Sequence, residues 1–493
     1  MSSPFYGTRW FAAFPIVFFV GATLYLSLSG AFDSGSMATA GLVGMMAASF
    51  LARDKASYWD AVVEGLRDKT AILVITIFLV VGIYGELMSQ ARLAEGLIWL
   101  ADELGLEGAV FVTFTYVASA IFGIATGTSF GTVVTMTPIL FPAAVAMGIS
   151  PALAGGAILS GAATGDHFAP VSDTTIISAS TQRFRSKPGN ADIGGVVRSR
   201  LLYAIPAFLI ASVLYLLLGS GGDSAGGREL IAEYRHAPGL FMLIPISIVI
   251  GLAVTGHSLL QSLTYGIVAG SVTGLAAGLL TPRDFVAIEG GHVSGILIDG
   301  VSGMFAVVLM IMVLMSTFSL MRHYGLMETI VSRLKTLFGR SPRTSELAMF
   351  GVAWSLNFIL LGSTGRISVI AGPINDELGA MQRIHPYRRA NITDAIVSTF
   401  SYFVPWHLWP LVTLSVIEPL AETYDFIVTP APSDFLLTTF YPVAIWVVML
   451  IAVLTGWGRS FEGRNGERIV AWFENTIPPD ARVESSYGGT STD

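Results

Sequence analysis

The stretch GAATGDHFAPVSDTT, residues 161–175, is a polar insert in an otherwise apolar region of the chain. Two acids, one histidine and four hydroxyl side chains fall within twelve of its residues. Gly165 and Pro170 are expected to interrupt a helix here, which frees backbone carbonyls and exposes the ends of the two helical pieces. The stretch therefore predicts an oxygen-rich pocket suited to a monovalent cation.

The sequence on either side is that of a membrane protein. Of the 493 residues, 27 are Lys or Arg and 34 are Asp or Glu, so only 12% are charged, while 53% are hydrophobic. Apolar runs long enough to cross a bilayer as helices recur, for example at 10–29, 72–88 and 435–455. We expect an all-α polytopic membrane protein surrounded by lipid, with the first run as an uncleaved helix.

Composition also excludes several classes of protein. Cysteine is absent, so thiol chemistry, disulfides and cysteine-ligated metals are excluded. The net charge of -7 resides mostly in loops without a basic stripe, so no nucleic-acid partner is expected. A membrane-embedded hydrolase using Ser172 and His167 lacks an oxyanion-hole motif, so neither enzymatic activity nor a cofactor is expected.

Loop charge predicts which segments face the cytoplasm, where Lys and Arg near helix ends are retained. Segments rich in these residues are expected inside: 52–69, 183–200, 322–344 and the tail after residue 456. Segments poor in them are expected outside: 90–108, 281–302 and 418–434. The prediction is a multi-pass membrane protein with both termini cytoplasmic.

The two halves of the chain repeat each other. A shift of 235 positions superimposes three prolines in collinear order, Pro138, Pro151 and Pro170 on Pro373, Pro386 and Pro405. The same shift places basic loops on acidic ones, so the halves are expected to face opposite ways. Inverted repeats are usual in secondary transporters, whose substrate site lies where the repeats meet, and a passive channel is disfavoured.

Each inverted repeat is expected to hold about five transmembrane helices, a re-entrant hairpin and an interrupted helix. The repeats occupy 1–220 and 239–456, joined by an extracytoplasmic linker at 221–238 and followed by a cytoplasmic tail at 457–493. The first repeat is predicted to contain helices near 10–29, 36–52, 70–89 and 200–218, a hairpin at 109–148 and an interrupted helix at 151–182. Amphipathic stretches at 91–107 and 326–338 are expected at the membrane surface, the second as a scaffold arm or homodimer contact.

The hairpin tips are predicted at 126–129 and 362–365, where both halves are rich in Gly, Ser and Thr. Non-helical backbone at membrane depth must be buried in protein or line a cavity. The alternative is that both arms are full crossings joined by a glycine-rich turn.

Asp166 and Asp173 are the predicted ion-binding and proton-coupling residues, because a poorly solvated carboxylate can bind either Na⁺ or a proton. Thr128, Ser129, Ser172 and Thr174 are expected to supply further oxygens, with Na⁺ held by Asp166, Asp173, Thr128 and Ser172. Asp173 could instead cap a helix, since Asp is a good N-cap. His167 could relay protons or serve as a structural hydrogen-bonding group.

The pattern Gly-Asp-His-x-x-Pro-x-Ser-Asp-Thr-Thr, preceded by Gly127-Thr-Ser-x-Gly131-Thr and Pro138, resembles the NhaC family of sodium/proton antiporters. The similarity covers most of the chain in order. It implies a bacterial or archaeal inner-membrane exchanger with two hairpins that meet at a central site. The family also contains exchangers that swap malate for lactate with Na⁺.

The second half departs from the family after its hairpin tip. Where Gly-Asp is expected, the chain reads GSTGR at 362–366, with an arginine and no acid. Arg366 could bind a substrate carboxylate, pair with an aspartate such as Asp394, Asp166 or Asp173, or extend to the cytoplasmic face. The candidate substrate-binding residues of this half are Ser363, Thr364, Arg366, Asn357, Asp394, Ser401 and His407.

The sequence thus predicts a secondary active transporter that exchanges Na⁺ for H⁺ by alternating access. The alternative is Na⁺- or H⁺-coupled transport or exchange of a small carboxylate or amino acid, with the anion bound at Arg366.

Overall fold

The computed structural model describes residues 4–29, 33–67, 69–106, 108–219, 230–289, 292–326, 341–359 and 364–482. The first half contains helices α1 (Phe14–Leu28), α2 (Ser34–Leu51), α3 (Lys55–Leu66), α4 (Lys69–Gln90), α5 (Leu93–Leu104), α6 (Ala109–Thr126), α7 (Ser129–Ala146), α8 (Pro151–Phe168), α9 (Asp173–Ser180) and α10 (Ile193–Leu218).

The second half contains α11 (Leu243–Val254), α12 (Leu259–Ala276), α13 (Pro282–Phe285), α14 (Ile296–Ser302), α15 (Phe305–His323), α16 (Pro342–Ile359), α17 (Thr364–Ala380), α18 (Pro386–Val397), α19 (Leu408–Thr423) and α20 (Phe440–Thr455). Short 3₁₀ helices occur at Arg9–Ala13, Ala237–Met242, Phe400–Tyr402, Pro432–Leu436 and Pro479–Ala481. Two small antiparallel hairpins pair β1 (Ala287–Glu289) with β2 (His292–Ser294) and β3 (Ser460–Glu462) with β4 (Arg468–Val470).

Apolar length and local capping explain these helices. Within the described residues, eight helical segments are long and apolar enough to cross a membrane. The side chains of Asp33, Asp54, Ser150 and Asp192 accept hydrogen bonds from backbone N–H groups in the first turns of α2, α3, α8 and α10. The predicted all-α polytopic membrane protein is confirmed.

Helix α7 forms the centre of the molecule. In α7, 94% of the residues are buried, whereas the most apolar part of α10 is 28% buried and presents its outer face to the surroundings. Two prolines, Pro138 and Pro142, lie inside α7, where neighbouring helices can satisfy the freed backbone groups. Both arms of the first hairpin have the length of a full crossing, so its re-entrant depth stays a prediction.

The repeat is visible in the positions at which helices begin. Helices α7, α8 and α9 begin at Ser129, Pro151 and Asp173, and α17, α18 and α19 begin 235 residues later at Thr364, Pro386 and Leu408. The contacts are reciprocal as well: α8 packs on α20 as α18 packs on α10, and α17 packs on α9 as α19 packs on α7. Reciprocal contacts of this kind are expected of a repeated structure, and the inverted repeat itself stays a prediction.

The same shift fails for the second helix of each half. Helix α2 begins at Ser34, and its counterpart α12 begins at Leu259, ten residues earlier than position 269 that the shift requires. The connection that follows α12 is correspondingly longer, and it holds α13 and the β1–β2 hairpin. The loops therefore absorb the difference, so the shift of 235 positions holds for the later helices of the two halves but not for the second.

The segment after Gly456, for which the sequence predicts a cytoplasmic tail, folds back onto the helices as far as it is described. Glu462 on β3 accepts hydrogen bonds from the backbone N–H groups of Arg185 (2.6 Å) and Ser186 (2.7 Å). Arg459 is buried and pairs with Glu346 of α16 at 2.8 Å. The tail thus joins other segments for which loop charge predicts a cytoplasmic position.

Segments predicted to lie outside also pack together. Arg235, at the end of the predicted linker, forms ion pairs with Asp102 (2.7 Å) and Glu103 (2.9 Å) of α5. The Tyr424 hydroxyl lies 3.4 Å from the Glu95 carboxylate on the same helix. Helix α5, predicted at the membrane surface, buries its apolar face against α7 and the 3₁₀ helix Ala237–Met242. Its predicted counterpart at 326–338 lies almost entirely outside the described residues.

Candidate functional site

The predicted helix interruption lies between α8 and α9. Helix α8 ends at Phe168 and α9 begins at Asp173, with Pro170 in the intervening residues 169–172. Proline lacks the N–H that a continuing helix requires, so its position explains the break. We call residues 169–172 the break.

The expectation that Gly165 also interrupts the helix is wrong. Gly165 lies inside α8, and a Cβ on it would lie 2.4 Å from the Cα of Gly123 in α6. This glycine lets two helix backbones approach closely, as small residues commonly do between membrane helices.

Asp166 is buried in the last turn of α8, with 5% of its surface exposed. Its carboxylate accepts a hydrogen bond of 2.8 Å from the Ser172 hydroxyl, which lies 3.1 Å from the Thr174 hydroxyl. Ser172 occupies the N-cap position of α9 without making a side-chain capping bond. The fold therefore uses this hydroxyl to orient Asp166 rather than to cap α9.

The tip of the first hairpin presses against the break. Gly127 has φ of +63° and ends α6, and a Cβ on it would lie 2.4 Å from Cγ2 of Val171. Thr128 then caps α7 by accepting a hydrogen bond from Gly131 N–H at 3.3 Å. The hydroxyl of Ser129 donates to the Ala162 carbonyl of α8 at 3.2 Å. The predicted tip residues thus reach the predicted acidic stretch.

These residues meet at a cavity of about 350 Å³. Its polar lining includes Thr128, Ser129, Asp166, Asp173 and Thr174. Its apolar lining comes from α4, α7, α12 and α19, including Leu73, Ile77, Phe130, Leu259 and Trp409. We call it the central cavity, and both halves of the chain contribute to it.

Asp173 lies at the exposed edge of the central cavity. It is the first residue of α9, and Ser172 rather than Asp173 occupies the N-cap position. A carboxylate in the first turn of a helix is favoured by the helix dipole. The two candidate acids therefore differ, one buried and one at the mouth of the cavity.

His167 joins the two halves of the molecule. Its Nε2 lies 2.7 Å from the Ser398 hydroxyl and its Nδ1 lies 2.9 Å from the Tyr441 hydroxyl. Because the Ser398 hydroxyl donates to the Asp394 carbonyl, Nε2 is the donor to Ser398, and a neutral imidazole satisfies both contacts. These two hydrogen bonds are what we expect if His167 is a structural hydrogen-bonding group. Its role as a proton relay stays a prediction.

Asp394 has a partner that the sequence pattern did not reveal. Its Oδ2 forms an ion pair of 2.6 Å with Arg200 Nη2, and neither side chain is more than 1% exposed. Arg200 is the last basic residue of the segment 183–200, which loop charge predicts to be a cytoplasmic loop. Helix α10 begins at Ile193, however, and carries this arginine into the interior. An arginine only seven positions beyond the start of a long apolar helix was the available signal.

Three candidates of the second half lie around its own interruption, between α18 and α19. Asn357 of α16 donates to the Ile396 and Val397 carbonyls at 3.2 and 2.6 Å. Ser401 and His407 are buried between the two helices, and His407 Nδ1 accepts from Leu408 N–H at 2.9 Å. None of these three lines the described part of the central cavity.

Ser363 lies outside the described residues. Thr364 and Arg366 lie in the first turn of α17, and their side chains are not part of what the structure describes. The roles considered for Arg366 therefore stay predictions, whereas Asp394 is paired with Arg200.

A family model described as the Na⁺/H⁺ antiporter family matches residues 3–219 and 229–415. The chain belongs to this Na⁺/H⁺ antiporter family. The matched ranges include every candidate residue named above, and the membership confirms the predicted similarity to NhaC antiporters. A multi-pass membrane antiporter is the class of protein that follows.

The relatives of this chain that carry a name are antiporters. The malate-2H⁺/Na⁺-lactate antiporter of Bacillus subtilis is 26% identical over 70% of this chain and 75% of its own length. The arginine/ornithine antiporter ArcD of Halobacterium salinarum is 28% identical over 42% and 44%. The Na⁺/H⁺ antiporter NhaC of Alkalihalophilus pseudofirmus is 25% identical over 56% and 61%.

Among solved structures, the MtrF efflux pump of Neisseria gonorrhoeae aligns with 92% of this chain and 95% of its own, at 12% identity and a TM-score of 0.38.

Proposed function

We propose that the protein exchanges Na⁺ for H⁺ across the cell (inner) membrane by alternating access, with both termini in the cytoplasm. The single observation that supports this most is the position of Asp166. Its buried carboxylate lies at a helix break, is oriented by Ser172 and lines the central cavity. A buried carboxylate is stable when it holds either a cation or a proton, so the two ions compete for one site.

The remaining residues take roles that follow from their places. Asp173, at the mouth of the central cavity, draws Na⁺ toward Asp166. Thr128, Ser129 and Thr174 line the cavity beside the acids and offer hydroxyl oxygens, the kind of ligand a hard cation prefers. Na⁺ and H⁺ are the transported substrates, and the cycle requires no enzymatic chemistry.

The test uses purified protein in liposomes with a pH gradient, to which Na⁺, K⁺ or Li⁺ is added while internal pH is followed. Na⁺ is expected to dissipate the gradient in wild type, and Asp166→Asn and Asp173→Asn are each expected to abolish the response. Asp60→Asn, at an exposed acid on α3, is the matched control and is expected to behave as wild type. Unchanged Na⁺-driven flux in Asp166→Asn would overturn the proposal.

A second candidate is Na⁺- or H⁺-coupled transport or exchange of a small carboxylate or amino acid, with Arg366 binding the anion. The observation that favours it is the size of the central cavity. A volume of about 350 Å³ with mainly apolar walls falls within the range of small-molecule sites, and two relatives named above exchange organic substrates.

The same liposomes separate the two candidates. If Na⁺/H⁺ exchange is the activity, Na⁺ alone dissipates the gradient and Arg366→Ala leaves the response intact. If an organic anion is the substrate, no cation suffices, a dicarboxylate or amino acid must be added, and Arg366→Ala loses the response.

A further inference from the structure

The Arg200–Asp394 ion pair lies directly behind the wall of the central cavity. Arg200 Nη1 donates to the Thr175 hydroxyl at 2.7 Å and to the His167 carbonyl at 3.2 Å. The Thr175 hydroxyl lies 3.3 Å from Asp394 Oδ2. His167 and Thr175 are the chain neighbours of Asp166 and Thr174, which line the cavity.

The pair also links four helices, α8, α9, α10 and α18. Arg200 belongs to α10 and Asp394 to α18, and Arg200 Nε donates to Asn391 of α18 at 3.2 Å. The His167 carbonyl is near the C-terminal end of α8, where backbone carbonyls lack partners within the helix and a cation is favourable. The guanidinium therefore satisfies the broken end of α8 and neutralises Asp394 at once.

We propose that Arg200 is a positioning residue and that the Arg200–Asp394 pair sets the cation affinity of the central cavity through its balanced charge. Asp394 is then a counter-ion and not a ligand of the transported cation. The inference rests on the proposed Na⁺/H⁺ exchange. Its physical basis is that a single uncompensated charge in a poorly solvated interior acts on a neighbouring cation over several ångströms.

The charge balance gives opposite effects for the two single changes. Arg200→Gln leaves Asp394 unpaired, so the site becomes more negative and the apparent KM for Na⁺ falls about ten-fold. Asp394→Asn leaves Arg200 unpaired, so the apparent KM rises by a similar factor. The double variant Arg200→Gln/Asp394→Asn removes both charges and is expected to keep a KM within about three-fold of wild type.

The experiment measures the apparent KM and maximal rate of Na⁺-driven proton flux in liposomes at pH 8.5, where protons compete least. Arg198→Gln, an exposed arginine two residues earlier on α10, is the matched control and is expected to leave KM unchanged. The maximal rate reports how much protein is folded and active, so a merely structural role would lower the rate and leave KM unmoved.

If the single variants fail to fold, the double variant still tests whether Asp394 is a ligand, since it buries no unpaired charge. A KM raised ten-fold or more in the double variant would identify Asp394 as a ligand and overturn the inference. A double variant that does not transport although it is folded would do the same. A wild type without Na⁺-driven flux would instead overturn the proposed function, and the inference with it.

Discussion

At the scale of single residues, the site depends on one hydroxyl group, that of Ser172, which bonds an acid rather than a helix end. Ser172 occupies an N-cap position, where its side chain would ordinarily bond the backbone. It donates to Asp166 instead, at 2.8 Å. A hydrogen bond to a carboxylate is among the stronger ones in proteins, so this hydroxyl should contribute to how Asp166 presents its charge.

Ser172→Ala is therefore expected to raise the apparent KM for Na⁺ by about ten-fold or more, because a hydrogen bond to a charged group contributes about 1.5–3 kcal/mol. The measurement is Na⁺-driven proton flux in liposomes. Ser180→Ala is the matched control, since this exposed serine ends α9 and its hydroxyl donates to the Ile177 carbonyl. Equal KM values for the two variants would show that Ser172 does not act on the site.

At the scale of elements, the hairpin tip and the break form one unit. Gly127 has left-handed backbone and leaves no room for a Cβ beside Val171. Helix α7 contacts α19, and in the equivalent contact α17 packs on α9. Each hairpin therefore lies against the broken helix of the other half. The geometry of the site therefore depends on how closely the hairpins pack against the broken helices.

Gly127→Ala is expected to lower both the melting temperature in detergent and the transport rate, because the new Cβ would lie 2.4 Å from Val171. Gly105→Ala isolates the contribution of backbone strain, since Gly105 has a similar φ of +64° and no atom near its Cβ position. It should cost about 1 kcal/mol of stability and spare transport. Val171→Ala should partly restore the Gly127→Ala variant, and failure of this rescue would contradict the proposed contact.

At the scale of the whole molecule, buried charges fasten the tail to the second half of the chain. Glu346 pairs with Arg388 at 2.9 Å and with Arg459 at 2.8 Å, and all three side chains are buried. Removing one member of such a network leaves an uncompensated charge in the interior. The loop before α18 takes part through His385, whose backbone N–H donates to the Ser460 carbonyl.

The same region should make stability depend on pH. Burial, with Arg468 nearby, lowers the pKa of His385 to about 4 from 6.5. The unfolded chain then binds a proton that the folded chain does not, so stability is full above pH 6.5 and falls as pH drops toward 4, by about 1.4 kcal/mol per pH unit.

His385→Asn keeps an N-cap acceptor for Tyr387 N–H and removes the titrating ring. Its melting temperature should therefore fall less than that of wild type between pH 6.5 and 5. His257→Asn, at an exposed histidine, should follow the wild-type curve. Parallel curves for His385→Asn and wild type would count against the buried neutral imidazole.

The membrane class, the helix break, the first hairpin tip and the family could all be predicted from local sequence. Composition and apolar length were sufficient for the membrane class, since each helix must satisfy its own backbone in lipid. Pro170 marked the break, and the small residues of 126–129 marked the first tip, because both features act on their immediate neighbours. The family followed from the same motif.

Other features were decided only by tertiary structure. Gly165 could mean a break or a close approach between helices, and only its contact with Gly123 distinguishes them. Arg200 could belong to a loop or to the interior, and only its partner Asp394, nearly two hundred residues away, shows which. The apolar walls of the central cavity come from four helices of both halves. Periodicity and composition report what a residue's neighbours in sequence require, whereas charge pairing and cavity shape depend on which distant segments pack together.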